Sequence, residues 1–149
     1  MSVTAQAITP DVLGAWVIKC NPRTTDVASM LDAGRADERW CVAGNYRTQL
    51  MTVGQRVVFW VSGDPRRRGI WGVGHLIGAA EPGPRWKVPT DIVLFSQPVL
   101  ATALMNVPAL SDLEVFRAPQ QANPSWISVD QWAALSPLLP GPSSEICVP

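Results

Sequence analysis

Residues 53–78 read VGQRVVFWVSGDPRRRGIWGVGHLIG, and this stretch decides the fold class. From Arg56 to Ser62 the side chains alternate. Val57, Phe59 and Val61 point one way and Val58, Trp60 and Ser62 the other, the period-two pattern of a strand. Ile70 to Ile77 repeats the pattern in glycine-rich form, with Ile70, Gly72, Gly74 and Leu76 on one side and Trp71, Val73, His75 and Ile77 on the other. Between the two runs, Ser-Gly-Asp-Pro at 62–65 followed by Arg66, Arg67 and Arg68 is turn-forming and basic. The unit reads as a β-hairpin with a basic tip. Glycine inside a strand marks a bend, a bulge or a close backbone approach. Gly69, Gly72 and Gly74 beside two tryptophans therefore predict a curved, barrel-like sheet.

Upstream, Ala15–Cys20 is a short strand with Trp16, Ile18 and Cys20 on one face, ended by Asn21-Pro22. Thr24 or Thr25 can cap a short helix whose apolar stripe is Val27, Met30 and Leu31 and whose stop is Gly34. Arg39–Tyr46 reads as a strand broken at Gly44-Asn45. Arg47–Met51 is a helical turn, and Val53-Gly54-Gln55 is the tight turn launching the hairpin.

Downstream, a Pro/Gly loop leads to a strand over Trp86–Phe95. A helical turn over Pro98–Met105 follows, with Leu100, Leu104 and Met105 inward, then a strand over Leu113–Phe116. Ser128 and Gln131 form a capping box, each satisfying a free N–H of the other's backbone, flanked by Ile127 and Trp132 at staple positions. A helix over Val129–Leu135 follows. Strands predominate and the helices are short, so the class is α+β with a curved or closed barrel rather than a doubly wound sheet. Residues 1–13 read as a flexible lead, 14–136 as one domain, and 137–149 as a proline-rich tail.

The chain has 149 residues, 47% hydrophobic and 16% charged, enough for one core and too apolar for disorder. No apolar run approaches the roughly 20 residues that span a membrane, and no leader peptide is evident, so a cytoplasmic location without membrane partners is expected. Cys20, Cys41 and Cys147 lack metal or redox spacing and read as reduced thiols. The 12 Lys+Arg balance 12 Asp+Glu, which argues against sequence-blind nucleic-acid binding driven by phosphate neutralisation. All the cations except Lys19 and Lys87 are arginines, the residue suited to phosphate contact and stacking.

The chemistry is one of walls rather than nucleophiles. No metal motif, phosphate loop or nucleophile elbow occurs around Ser62, and the single histidine, His75, reads as a packed or surface residue. Trp40, Tyr46, Trp60 and Trp71 fall at strand ends near Asn21, Asn45, Ser62 and Gly63. Flat bases stack on aromatic faces while amides, hydroxyls and backbone groups read their edges. Arg47, Arg66, Arg67 and Arg68 are the candidates for flanking phosphates.

AWVIKCNP at 15–22, Trp40 with GNYR at 44–47, MTVGQRVVFWVSG at 51–63 and GIWGVGHLIG at 69–78 resemble the EVE domain. In the later half Pro108-Ala-Leu110, Arg117-Ala-Pro-Gln and Ser-Trp-Ile-Ser-Val at 125–129 continue the likeness, which covers roughly residues 14–136. Gln55 stands where the family has aspartate, and Cys20-Asn21 replaces its Ser-Glu.

The resemblance implies a PUA-like mixed β-barrel with short flanking helices, related to YTH domains. Its surface pocket would accept one nucleobase, often a modified one, in DNA or RNA. It implies that Trp40, Asn45, Tyr46, Trp60 and Ser62 line that pocket, with Asn21 at the first strand's exit. It implies no cofactor, no metal and no catalysis, and a nuclease or restriction protein as partner. A second reading is a small hydrolase on the related ASCH-like barrel, which would bring Lys19, Thr24 or Thr25, and Glu81 together. A third is an accessory domain that docks a partner protein.

Overall fold

The computed structural model describes residues 8–140. Its elements in chain order are β1 (Leu13–Cys20), α1 (Val27–Ala33), β2 (Arg39–Cys41), α2 (Tyr46–Leu50), β3 (Arg56–Val61) and β4 (Gly69–Leu76). Then follow β5 (Lys87–Leu100), α3 (Ala101–Met105), α4 (Glu114–Arg117), β6 (Ser125–Ser128) and α5 (Val129–Leu135). The six strands form one strongly curled, half-barrel sheet in the order β2-β5-β4-β3-β1-β6. All neighbours are antiparallel except β1 and β3, which run side by side in the same direction and end together at Cys20 and Val61. Among the described residues no helix is long and apolar enough to cross a membrane.

The expected hairpin forms, β3 pairing with β4 from Arg56–His75 to Val61–Gly69. Both of its faces are covered. Val57, Phe59 and Val61 enter one core with Trp16, Ile18 and Met30, on the side where α1 packs. Val58 and Trp60 enter a second core with Ala15, Val17, Leu104, Leu113 and Leu135, under α3, α4 and α5. Each face buries large apolar side chains, and that burial locks the strand register, because a one-residue slip would exchange the two sets.

The strict alternation expected along β4 fails at Trp71. Trp60 pairs with Ile70 and Phe59 with Gly72, so Trp71 is an extra residue, and on the other side residues 95–98 of β5 bulge past the same point. The bulge flips parity: Ile70 packs in the second core while Trp71 and Leu76 pack in the first. The glycines admit a neighbouring strand rather than a ligand. A Cβ on Gly74 would lie 2.7 Å from Asp91 C and Ile92 Cα, and one on Gly72 would lie 2.9 Å from Leu94 Cδ2. β5 crosses β4 at a distance only glycine allows, and the sheet curls there.

Four other expectations change. Asp26, not Thr24 or Thr25, caps α1, its carboxylate accepting from Ser29 N at 3.1 Å. Residues 113–116 are not a strand: Leu113 is the N-cap of helix α4 and Glu114–Phe116 lie within it, with Val115 in the second core. The last strand is β6 instead, pairing with β1 and running straight into the capping box of α5. β5 continues through Pro98 to Leu100, so only Leu104 of α3's expected apolar trio is fully buried, while Leu100 and Met105 are exposed. The proline-rich tail from 141 lies outside the described residues, as does Cys147.

Candidate functional site

The parallel ends of β1 and β3 make the site. The two strands stop together and their chains diverge, Asn21 leading toward α1 and Ser62-Gly63 toward the hairpin tip. Ser62 is tied to β1 by two bonds to the Cys20 carbonyl, N–H at 2.9 Å and hydroxyl at 3.1 Å, leaving its hydroxyl oxygen as an acceptor. Gly63 sits at φ +103°, and a Cβ added there would meet nothing nearer than Pro22 at 3.6 Å, so no side chain covers the backbone at that point. Asn21 accepts from Arg23 N through Oδ1 at 3.0 Å, and its carbonyl takes the amides of Thr24 and Thr25.

A cavity of about 320 Å³ opens beside this corner on the second-core face. Its aromatic wall is Trp60 with Phe116, packed edge to face with ring centres 5.6 Å apart. Asn21, Ser62, Gly63, Gln121 and Asn123 supply polar atoms around it, and Lys19 and Arg68 are its two cations. Asn123 anchors the far side by clamping the β1 backbone, Nδ2 donating to the Lys19 carbonyl at 3.0 Å while Oδ1 accepts from Lys19 N at 2.8 Å. Lys19 Nζ donates to the Pro119 carbonyl at 3.2 Å and to that of Gln121. Burial pushes the Lys19 ammonium below its ordinary pKa and Arg47 adds to this, while Glu114 opposes both. Burial raises the neighbouring Cys20 thiol to about 11, so it is a neutral wall atom and not a nucleophile.

On the opposite face of the same corner lies a larger groove of about 860 Å³, sharing Asn21, Ser62 and Gly63. Trp71 and Arg67 line it, the guanidinium 5.4 Å from the indole ring centre and the indole N–H donating to the Arg67 carbonyl at 2.9 Å. Four of the eight residues expected at a base pocket therefore converge on the cavity: Asn21, Trp60, Ser62 and Gly63. Trp71 lines the adjoining groove.

The other three lie elsewhere. Trp40 is core, packed on Phe59 at 5.2 Å with its indole N–H on the Asp37 carbonyl. Asn45 caps α2, and Tyr46 is exposed with its hydroxyl accepting from Ile8 N. Among the arginines, Arg47 faces inward and binds Glu114 at 2.7 and 2.8 Å, so it is a brace and not a phosphate contact. Arg66 pairs with Asp64 on the exposed tip, while Arg67 and Arg68 line the groove and the cavity respectively.

The hydrolase set does not assemble. Lys19 lines the cavity, Thr25 the groove, and Glu81 a separate depression where it faces Arg39. His75 is exposed on β4 beside Arg56. Phe116, Gln121 and Asn123 also line the cavity, and their sequence context does not group them with Asn21, Trp60 and Ser62. They reach the cavity only because α4 and the loop before β6 fold back over β1. The available signal was Asn123-Pro124, a turn dipeptide directly ahead of a short apolar strand.

No protein-family model and no curated protein matches the chain. The fold is similar to that of a hypothetical protein from Leishmania major, 14% identical, over 85% of this chain and 94% of that one, with a TM-score of 0.67. It is also similar to a Pseudomonas syringae protein, 20% identical over 83% and 98% of the two chains, TM-score 0.65. A third likeness is to a Rhodopseudomonas palustris protein, 20% identical over 87% and 97%, TM-score 0.64. At these identities the likeness is one of fold.

Proposed function

We propose that this chain is a non-catalytic nucleic-acid-binding domain of EVE type on a PUA-like half-barrel, holding one modified nucleobase of DNA or RNA in the cavity at the ends of β1 and β3. The observation that carries the reading is the convergence of an aromatic wall, Trp60 with Phe116, and an edge-reading rim, Asn21, Ser62 and bare Gly63, on a volume of about 320 Å³. A base taken out of its stack needs both: a flat apolar surface and polar atoms in its plane. The adjoining groove, with Trp71 and Arg67, gives the neighbouring nucleotide a stacking face and a cation. The chain's overall neutrality fits a reader whose affinity comes from the pocket rather than from phosphate neutralisation. The scattering of Lys19, Thr25 and Glu81 favours binding over hydrolysis, so any cleavage coupled to recognition would come from a partner protein.

The test is tryptophan fluorescence titration against short oligonucleotides, each with one modified base at its centre, beside its unmodified twin. One modification should quench preferentially. Phe116→Leu, which keeps apolar volume and removes the ring, should weaken that binding by the value of one stack, about 1–3 kcal/mol. Equal response to every oligonucleotide, or affinity untouched by Phe116→Leu, would reject the pocket.

A further inference from the structure

The half-buried Arg68 at the cavity wall carries a charge that no acidic residue of the cavity lining matches. Its Nε is fully buried without a hydrogen-bond partner among the described residues, and no carboxylate there pairs with its guanidinium. By contrast Arg47, the arginine buried most deeply among the described residues, is matched by a carboxylate, Glu114. The carboxylate beside the cavity, Glu114, is already spent on Arg47 in a two-pronged pair. Lys19 adds a second cation to the wall, and no residue lining the cavity is acidic. A buried cationic N–H left unmatched costs free energy, and guanidinium geometry suits two oxygens of one anion.

We infer that the cavity is an anion-accepting site: Arg68 binds the oxygens of a carboxylate or phosphate carried by the ligand that lies against the wall of Trp60 and Phe116. The inference rests on the base-reader proposal for the identity of that ligand, and it sharpens it from a modified base to one presenting negative charge inside the pocket. The charge has two sources, an acidic substituent on the base or the nucleotide's own phosphate.

The experiment titrates the full chain, by calorimetry, with cytidine, 5-carboxycytidine and cytidine 5′-monophosphate. At least one anionic probe should bind about tenfold or more tighter than cytidine, the scale of a charge-assisted hydrogen bond. Arg68→Ala should erase that gap and Arg68→Lys should keep part of it. Arg85→Ala, in the separate depression at Arg39 and Glu81, should leave it intact. A gain confined to 5-carboxycytidine assigns the charge to the base, and one confined to the monophosphate assigns it to the backbone. Should Arg68→Ala not fold, Arg68→Gln carries the same comparison.

Equal affinity for charged and neutral probes, or a gap that survives Arg68→Ala, overturns the inference while leaving a base reader standing. If no nucleoside binds at all, the base reading fails. Benzoate and inorganic phosphate then decide the anion site alone, followed by NMR at the amides of Gly63 and Phe116. Saturable shifts lost in Arg68→Ala uphold it, and no shift with either anion overturns it.

Discussion

Removing Glu114 should cost more stability than any other single carboxylate among the described residues. Its side chain and that of Arg47 are only 8% and 9% exposed, and they bind through two oxygens at 2.7 and 2.8 Å. Arg47 Nη1 also donates to the Pro124 carbonyl at 2.9 Å. One guanidinium thus joins α2, α4 and the start of β6 at the base of the cavity wall. These contacts hold the Arg47 guanidinium above its ordinary pKa, chiefly through the hydrogen bonds to Glu114.

Glu114→Leu leaves that cation buried and uncompensated, a loss of about 3–5 kcal/mol. With a urea slope of about 2 kcal/mol/M, the unfolding midpoint should fall by about 2 M. Arg47→Met with Glu114→Leu removes both charges and should recover most of the loss, a coupling of about 3 kcal/mol. The assay is equilibrium urea unfolding of the four members of the cycle. A single-variant shift below about 0.5 M, or a double variant as unstable as the two singles summed, would refute the brace.

The remaining predictions concern packing, capping and titration. Gly74→Ala should destabilise by about 1–3 kcal/mol or more, since its methyl has no room beside β5, while Gly83→Ala in the exposed loop should change stability by less than about 0.5 kcal/mol. Asp26→Ala should cost about 1 kcal/mol through loss of the α1 cap, and Thr24→Ala, one of the two residues the sequence suggests for that role, much less in the same thermal melt. Cys20 is raised from 9.0 to about 11 by burial, so the folded thiol keeps a proton that the unfolded one releases. Wild-type stability should therefore fall relative to Cys20→Ala as pH rises from about 9 to about 11, and parallel pH profiles would contradict this. In a Cys147→Ser background, exposed Cys41 should react with a thiol reagent long before Cys20.

The hairpin was legible because β3 buries both faces, and both sets of side chains are large enough to write their period into the sequence. The parity change at Trp71 was not, because Gly72 and Gly74 carry no side chain that could record which face they occupy. Leu113–Phe116 is too short to separate strand from helix by period, and its fate depends on Glu114 meeting Arg47, 67 positions away.

The site follows the same division. Asn21, Trp60, Ser62 and Gly63 could be grouped from sequence because each lies at a strand end, and two strands that stop together bring their ends together. Trp40 and Arg47 looked like site residues by type alone. Their neighbours, Phe59 and Glu114, decide otherwise, and those contacts are tertiary.

The central claim is that a nucleobase occupies the cavity between Trp60, Phe116 and the Asn21–Ser62 rim. The most direct measurement is a ¹H–¹⁵N titration of the chain with the oligonucleotide that quenches its fluorescence best. The account predicts saturable shifts centred on the Trp60 indole N–H and the amides of Asn21, Ser62, Gly63 and Asn123, with smaller ones at Trp71. Shifts centred instead on the depression at Arg39, Glu81 and Lys87, with the Trp60 signal unmoved, would contradict it.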